Sequence, residues 1–531
     1  MMDCIYKKIE FLYSKVVIRV TLCCSLFFFS LLFLLSISVT SDITITTDLA
    51  PYQYPDNSHL YLLIILPVFV MTFYKLKDIK ISRKRLDTLQ WELTILFSFI
   101  IFIFFGFAYA DPEICLLIAR TIAGEADAFE LTSIYIGKYP HQSFFCLYEC
   151  LYAGLFKKTD FIIYQLVSVV LFSGCIYLLR YIFEKIMKDD YTSFIDLALM
   201  FFVPGWLIAE FTYNDIHSLF FSVLSIYLFL KYSEKWSAIV FASYLMAIGC
   251  SLRSNNLILL IAFIVIEMYE EKNIRVIVFL VLSILCFKIN NTLAYEYLIT
   301  RFPDILNNAV NLPATRWLYI GLTESKTGAG WWAPDTANIV DYSSGKEQIN
   351  NLLHQQMKEH FDHPLGFLSF QIRKMANGYT IPDYETLDAF RHKESLWKTP
   401  GIKAFLYNRN IAYQVLYEIL NAFQSLLYFG NILYLALKKD KIKHHIFGIV
   451  FFLGNVLFYF FWEIKARYIL PSTIFIIPTG VVGYQLLAKK INKKIILMYI
   501  TLIPTLIFIS QLIMKQVMTA ENLSKLNSLV R

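Results

Sequence analysis

The sequence predicts an all-α polytopic membrane protein with about thirteen transmembrane helices and two large outer loops. Hydrophobic residues make up 57% of its 531 residues and charged residues only 17%, against roughly 45–50% and 25% in soluble domains. This mixture cannot build a water-facing surface, so most of the chain must lie in lipid. The composition excludes a disordered chain, a secreted disulfide scaffold and a nucleic-acid-binding domain.

Apolar runs divide the chain into candidate membrane spans. The first follows a basic N-terminus and lacks a small-residue cleavage site, so we expect a retained signal anchor with its N-terminus in the cytoplasm. The predicted spans are 20–38, 60–74, 93–109, 161–184, 192–209, 216–231, 237–250, 256–270, 276–289, 412–436, 446–462, 468–487 and 495–513.

The positions of the basic residues favour this count of spans. The connector 75–90 is strongly basic, and counting from a cytoplasmic N-terminus places it inside with the other lysine-rich connectors. Cytoplasmic loops carry an excess of Lys and Arg in this way. The stretch 143–157 is apolar but short, and we expect it to be a helix at the outer interface, because a crossing there would invert every later loop.

Two outer loops stand apart by length, 110–160 and 290–411, and loops this long are usually functional. The apolar spacing in 347–361 predicts a helix inside the second. We therefore divide the chain into an N-terminal helical pair with a basic loop, a transmembrane core containing the first outer loop, a large extracytoplasmic loop, and C-terminal transmembrane helices, at 1–90, 91–290, 291–411 and 412–531.

The first candidate for chemistry is the acidic start of the first outer loop. Asp111 and Glu113 flank Pro112 where the third span ends. Asp111 there suits either a helix cap or a general base that removes a proton from an acceptor hydroxyl. Glu113, and the later acids Glu125 and Asp127, compete for the same role.

Two further polar groups lie near predicted span ends. Tyr139 and His141 flank Pro140, and suit contacts with a sugar or a phosphate as well as ordinary interface hydrogen bonds. Asn214 and Asp215 occupy a short outer turn, where they are candidates for sugar hydroxyl binding or for helix capping.

Arg253 lies between two apolar runs, where a charge is costly unless it is paired or faces a cavity. Its guanidinium matches phosphate oxygens, although reaching to lipid headgroups is the alternative. Glu463 and Arg467, four residues apart beside Tyr468, form either an ion pair on one helix face or part of a phosphate site. Trp317, in a Gly- and Trp-rich segment of the large loop, suits stacking on a sugar ring or folding onto the bilayer.

These pieces, in this order, resemble the polyprenyl-phosphate-sugar-dependent glycosyltransferases of the GT-C class. The chain looks closest to bacterial members related to protein O-mannosyltransferases and lipid A aminoarabinose transferases. The resemblance covers roughly 90–480. It rests on Asp111-Pro112, Tyr139-Pro140, Asn214-Asp215, Arg253, Arg467-Tyr468, Leu470-Pro471, and the segment from Pro313 to Asp335.

The resemblance implies that Asp111 is the catalytic base, that Asp215 is a second active-site acid, and that Arg253 and Arg467 hold the donor phosphate. The chain departs from many relatives, which have two adjacent acids at the Asp111 position and Lys-Pro-Pro at the Tyr139 position. Some relatives bind a divalent metal, for which this sequence shows no clear ligand set.

The sequence thus predicts transfer of a sugar from a polyprenyl-phosphate donor to an acceptor hydroxyl outside the cytoplasm, with inversion. The expected partners are the lipid-linked sugar, a glycan, lipid or protein acceptor, and the bilayer, with no nucleic acid. The alternative is a secondary transporter or a flippase of cell-envelope glycolipids. Charged residues at span ends, rather than at the bilayer midplane, favour the enzyme.

Overall fold

The computed structural model is almost entirely helical and describes residues 18–43, 51–55, 58–76, 81–103, 111–157, 161–271, 274–307, 313–325, 328–332, 346–387, 404–405, 409–438, 443–490 and 509. Its first half contains helices α1 to α9, namely Ile18–Ser36, Ser58–Leu76, Arg83–Ile103, Asp111–Ala123, Phe129–Lys138, Ser143–Phe156, Phe161–Met187, Ser193–Met200 and Val203–Leu207.

The second half contains helices α10 to α20. These are Asp215–Tyr232, Trp236–Leu252, Asn256–Glu271, Ile274–Arg301, Asp304–Asn307, Thr315–Leu322, Lys346–Asp362, Pro364–Tyr379, Ile411–Leu437, Phe447–Phe461 and Ala466–Lys490. The helix α16, Lys346–Asp362, is the one that the spacing in 347–361 predicts.

Six helices of the described chain are long and apolar enough to cross a membrane, and this identifies a multi-pass membrane protein. They are Arg19–Ser36, Arg83–Ile103, Phe161–Asp190, Ile274–Arg301, Ile411–Leu437 and Ala466–Lys490. The pair Ser193–Met200 and Val203–Glu210 adds a seventh if it is one span bent by 44°. The predicted spans 60–74, 237–250, 256–270 and 446–462 fall on shorter apolar helices, and 216–231 falls on α10, which is not among the six. Since 495–513 lies outside the described residues except for 509, the count of thirteen stays a prediction.

The third span differs from its predicted bounds of 93–109. The helix α3 begins at Arg83, inside the stretch predicted to be a basic loop. Its buried stripe begins at Leu86 and Gln90, before the apolar run starts, so hydropathy alone missed its amphipathic first turns. Arg180 on α7 donates to the Gln90 side chain (2.7 Å) and to Asp196 on α8 (2.7 Å), which satisfies its buried charge.

A two-stranded antiparallel sheet follows the first helix and was not predicted. Its strands are β1, Val39–Ile43, and β2, Pro51–Pro55, with Val39 opposite Pro55 and Ile43 opposite Pro51. Strand β1 is fixed to the interior by polar contacts. Ser41 donates its backbone N–H to the Thr380 carbonyl (3.1 Å), and Tyr417 donates its hydroxyl to the Ser41 carbonyl (2.7 Å).

The last described span, α20, packs closely on α18. A side-chain carbon at Gly430 would lie 2.6 Å from the Gly480 carbonyl oxygen, and one at Gly483 would collide with the Gly430 carbonyl. Thr479 donates to the Asn431 side chain (2.6 Å) in the same interface. Small residues and interhelical hydrogen bonds are how helices associate in lipid, so these two form one unit.

The segment predicted to lie at the outer interface is helix α6, Ser143–Phe156. Its 14 residues span about 21 Å at 1.5 Å per residue, which is short of the roughly 30 Å hydrocarbon core. One face, including Phe145 and Cys146, is buried, whereas Leu151 and Leu155 are exposed. Its length favours the prediction that it does not cross.

Candidate functional site

Arg253 and Asp215 form a buried ion pair between two helix ends. Arg253 follows α11 and Asp215 is the first residue of α10, and the Arg253 Nη1 atom contacts the Asp215 carboxylate. The same atom donates to the Asn214 amide oxygen (3.3 Å), while the Asn214 amide nitrogen donates to the Leu252 carbonyl (2.5 Å). Asn214 therefore ties the two turns together and does not cap α10 through its side chain.

Tyr468 brings Arg253 and Arg467 together from distant parts of the chain. The Arg253 guanidinium lies 4.7 Å from the centre of the Tyr468 ring and that of Arg467 lies 5.5 Å from it. Arg467 also lies 5.2 Å from the Phe211 ring and 5.4 Å from the Tyr213 ring. Cations are attracted to aromatic faces at such distances, so an aromatic wall holds both guanidinium groups.

Tyr213 joins this wall to the first outer loop. Gln142 donates to the Tyr213 hydroxyl, and the Tyr164 hydroxyl donates to the Tyr213 carbonyl (2.8 Å). Burial raises the pKa of Tyr213, the Asp111 carboxylate adds to this rise, and Arg467 opposes it. Asp111 and Arg467 therefore act on the same phenol with opposite sign.

Asp111 opens helix α4 and its side chain is exposed. Desolvation by the surrounding protein lowers the pKa of the neighbouring His141, with Asp111 opposing that change and Arg316 reinforcing it. The Asp111 carboxylate therefore lies within electrostatic reach of Tyr213 and His141. It combines access to solvent with proximity to two hydrogen-bonding side chains.

The other loop acids are arranged differently. Glu113 is exposed two residues after Asp111, and positions i and i+2 of a helix do not face each other. Within the described ranges Glu113 has no hydrogen bond or ion pair. Glu125 lies 3.8 Å from Arg120 in an ion pair, and Asp127 is exposed in the turn before α5. Asp111 is thus the loop acid best placed for chemistry.

The large loop reaches the first outer loop through Arg316, a residue that the sequence analysis missed beside Trp317. The Arg316 guanidinium is buried between the Tyr139 ring (5.6 Å) and the Trp317 ring (5.1 Å). The Tyr139 ring packs on Tyr135 at 5.0 Å. The only sequence signal was an arginine next to a tryptophan. This pair by itself does not predict where Arg316 lies in the folded protein.

The turn 462–465, between α19 and α20, anchors the large loop by main-chain hydrogen bonds. Glu463 donates its N–H to the Trp317 carbonyl (3.2 Å), and Ile464 donates its N–H to the Gly330 carbonyl (3.0 Å). Gly321 lies so close to this turn that a side-chain carbon there would collide with the Trp462 backbone. The loop therefore covers the turn that precedes Arg467.

A buried lysine strengthens this anchor. The Nζ atom of Lys374 on α17 donates hydrogen bonds to the carbonyls of Gly321 (2.5 Å) and Phe460 (3.1 Å). Burial lowers the pKa of Lys374 well below its usual range, and Glu463 opposes the change. Lys374 thus joins the large loop to the end of α19 beside the candidate site.

Glu463 is a buried acid with cations around it. Burial raises the pKa of Glu463 to about 7, Lys465 and Arg467 oppose that rise, and Asp111 adds to it. Glu463 precedes α20, which begins at Ala466, so Glu463 and Arg467 do not share one helix face, which was one of the two alternatives that the sequence left open for them. The chain turns between them because Glu463 and Ile464 bond to the large loop.

The candidate site thus collects residues from segments that are far apart in the chain. It contains an exposed carboxylate, a buried Asp–Arg pair, an arginine on aromatic rings, and a buried acid. Across the residues that the structure describes, no three or more His, Cys, Asp or Glu side chains cluster closely enough to hold a metal ion.

No protein-family model, curated protein or solved structure matches this chain. The assignment of function therefore rests on the chemistry of these residues and on the motifs in the sequence.

Proposed function

We propose that this protein is an integral membrane glycosyltransferase, related to the GT-C class, that moves a sugar from a polyprenyl-phosphate donor to an acceptor hydroxyl. The reaction takes place at the extracytoplasmic face of the cell membrane, with the N-terminus in the cytoplasm. This orientation follows from the basic connectors, which all fall on one side in a count of thirteen spans.

The observation that supports the proposal most is that Arg253 and Arg467, from distant parts of the chain, share the Tyr468 ring, while the exposed Asp111 carboxylate acts electrostatically on Tyr213, which contacts Arg467. Transfer from a lipid phosphate requires a carboxylate that accepts a proton and a cation that stabilises the departing phosphate. Both chemical groups are present, and a guanidinium offers the donor geometry that phosphate oxygens accept.

The proposed step is a single displacement. Asp111 accepts the proton of the acceptor hydroxyl while its oxygen forms a bond to the anomeric carbon of the sugar. The bond from that carbon to the phosphate oxygen breaks, and the polyprenyl phosphate leaves with the electron pair beside Arg467 and Arg253. Attack opposite the leaving group inverts the anomeric configuration.

The surrounding residues have supporting roles in this proposal. Asp215 holds Arg253 in place through the buried ion pair. Tyr139, His141, Asn214 and Trp317 supply hydroxyl, imidazole, amide and aromatic groups for the sugar and the acceptor. Glu463 and Tyr468 complete the wall near the phosphate.

The test uses the purified full chain in proteoliposomes. The vesicles contain a panel of polyprenyl-phosphate hexoses labelled in the sugar, with a bacterial envelope extract as the acceptor. We expect the label to move to the acceptor with release of polyprenyl phosphate. The D111N variant should lose this transfer by about 10²–10⁴-fold, the usual contribution of a general base.

Two variants sharpen the assignment of the base. E113Q should keep far more activity than D111N, because positions i and i+2 of a helix do not share a face. The exposed acid Glu130 on α5 provides a surface control as E130Q. Full activity of D111N rejects Asp111 as the base. Movement of intact donor across the bilayer without sugar release rejects the enzyme and supports the flippase or transporter alternative.

A further inference from the structure

A buried turn with unusual backbone geometry lies beside the candidate site. Tyr384 and Glu385, in the segment 380–387, have φ angles of 55° and 65°. Residues with side chains rarely adopt this left-handed region. Both are buried, at 1% and 7% exposure, so neither lies in a loose surface loop.

Hydrogen bonds within the turn and a contact with α18 hold the turn in this shape. Tyr384 donates its N–H to the Ile381 carbonyl (3.2 Å), and Asp383 accepts the Leu387 N–H on its carboxylate (2.9 Å). The Tyr417 hydroxyl on α18 also donates to Asp383 (3.3 Å). Strained backbone persists only when its surroundings determine it fully, and it is concentrated at functional sites.

The strained turn directs the Glu385 side chain to the start of α20. The Glu385 Oε1 atom accepts a hydrogen bond from the Arg467 backbone N–H at 3.3 Å. A carboxylate is favourable at a helix N-terminus, where N–H groups lack partners within the helix. The residue fixed by this bond is the one whose guanidinium lies on the Tyr213 and Tyr468 rings.

We propose that Glu385 is a positioning residue, and that the turn at Tyr384 and Glu385 is a brace that sets the Arg467 guanidinium against the anionic phosphate of the donor. This inference rests on the proposed function, since it names the residue through which donor binding is tuned. Glu385 acts through Arg467 and does not touch the reacting atoms.

A purely structural helix cap would behave differently. Loss of a cap lowers the stability of the helix without changing how the protein binds its donor. Loss of a brace changes the donor KM, because misplacement of a positioning group by about 1 Å can cost up to roughly 10²-fold. The two roles are therefore separated by comparing unfolding temperature with donor affinity.

Three variants of Glu385 separate strain from hydrogen bonding. Glycine and asparagine both tolerate positive φ, but E385G has no side chain and E385N is one methylene too short. E385Q keeps the length and an acceptor oxygen. We expect E385G and E385N to raise the donor KM by roughly tenfold with little loss in unfolding temperature, and E385Q to recover most of the affinity.

A double variant tests whether Glu385 acts through Arg467. E385G should have no further effect on donor affinity in an R467M background, because the group that it positions is absent. An additive effect, or an unchanged donor KM in both E385G and E385N, overturns the proposal.

A binding measurement keeps this test independent of turnover. Wild type and each variant, in lipid nanodiscs, are titrated with fluorescent polyprenyl phosphate, which needs no sugar transfer. Wild-type protein that binds this lipid but consumes no donor would reject the glycosyltransferase. Weaker binding by E385G would still support the brace in that case, and equal binding would reject it.

Discussion

The two arginines on the Tyr468 ring lie in contrasting surroundings. In the Arg253 region, residues 211–215 and 252–256, the guanidinium contacts a buried carboxylate and an amide oxygen. In the Arg467 region, residues 459–468, the guanidinium lies on three aromatic rings and its backbone is held by Glu385. The Arg253 guanidinium is thus paired with a buried carboxylate, and the Arg467 guanidinium lies on the faces of three aromatic rings.

This contrast separates two roles for the same side chain. In a buried ion pair, the attraction between the two charges offsets the desolvation of both. Removal of one member therefore leaves an uncompensated buried charge. In the proposed reaction Arg467 binds the donor phosphate, so its removal acts on the donor. We therefore expect the Arg253 region to govern stability and the Arg467 region to govern reaction with the donor.

The largest expected effect concerns Arg253. R253M leaves the Asp215 carboxylate buried without its cation, and we expect the unfolding free energy to fall by about 3–5 kcal/mol. Thermal unfolding in nanodiscs measures this loss. The double variant R253M/D215N should recover part of it, because no charge is then left unpaired. A single variant as stable as wild type would remove the contrast between the regions.

The next effect concerns Arg467. R467M keeps an apolar stem on the aromatic wall but removes the charge, so we expect kcat/KM for the donor to fall by about 10- to 10²-fold, the value of a lost charge-assisted hydrogen bond. The unfolding temperature should change less than in R253M. R467K retains the charge, so its kcat/KM for the donor should lie between those of wild type and R467M. Equal losses of stability in R467M and R253M would contradict the division of roles.

The Arg467 region should also depend on the large loop that covers it. G321A places a methyl group against the Trp462 backbone, and we expect a loss of about 1–3 kcal/mol from overpacking. Gly366 in the same loop is the matched control, since the nearest atom to a side-chain carbon there is 3.7 Å away. G366A should be neutral or slightly stabilising. Similar behaviour of the two variants would show that the loop is not anchored at Gly321.

The smallest effect is a pH dependence from Glu463. Burial raises the pKa of Glu463 to about 7. At pH values between the ordinary pKa of a glutamate and about 7, the folded protein therefore keeps a proton on Glu463 that the unfolded chain has released. Stability from this group is therefore present at acidic pH and is lost as pH rises, by about 1 kcal/mol between about pH 6 and about pH 8. Unfolding of wild type and E463Q across this range checks it, since E463Q should lack that decline.

Much of the fold was predictable, because transmembrane helices are long apolar runs whose limits follow from bilayer thickness. The bounds failed where a helix begins with charged residues on its exposed face, as at Arg83 of α3. The hairpin at Val39–Ile43 and Pro51–Pro55 was missed because short strands held by distant side chains have no local periodicity.

The candidate site was predictable as a set of residues but not as an arrangement. Arg253 drew attention because a charge between apolar runs needs a partner, yet nothing local identifies Asp215 as that partner. Arg316 and Glu385 were not singled out, since nothing local distinguishes an arginine beside Trp317 or an acid in the segment 380–387. Their importance comes from contacts between segments far apart in the chain.

The glycine contact between α18 and α20 has a consequence for movement. Since the backbones of Gly430 and Gly483 touch, neither helix slides along the other without a steric clash. Arg467 lies at the start of α20, and Lys489 and Lys490 lie at its end. Movement of one helix at this contact therefore carries the other helix with it.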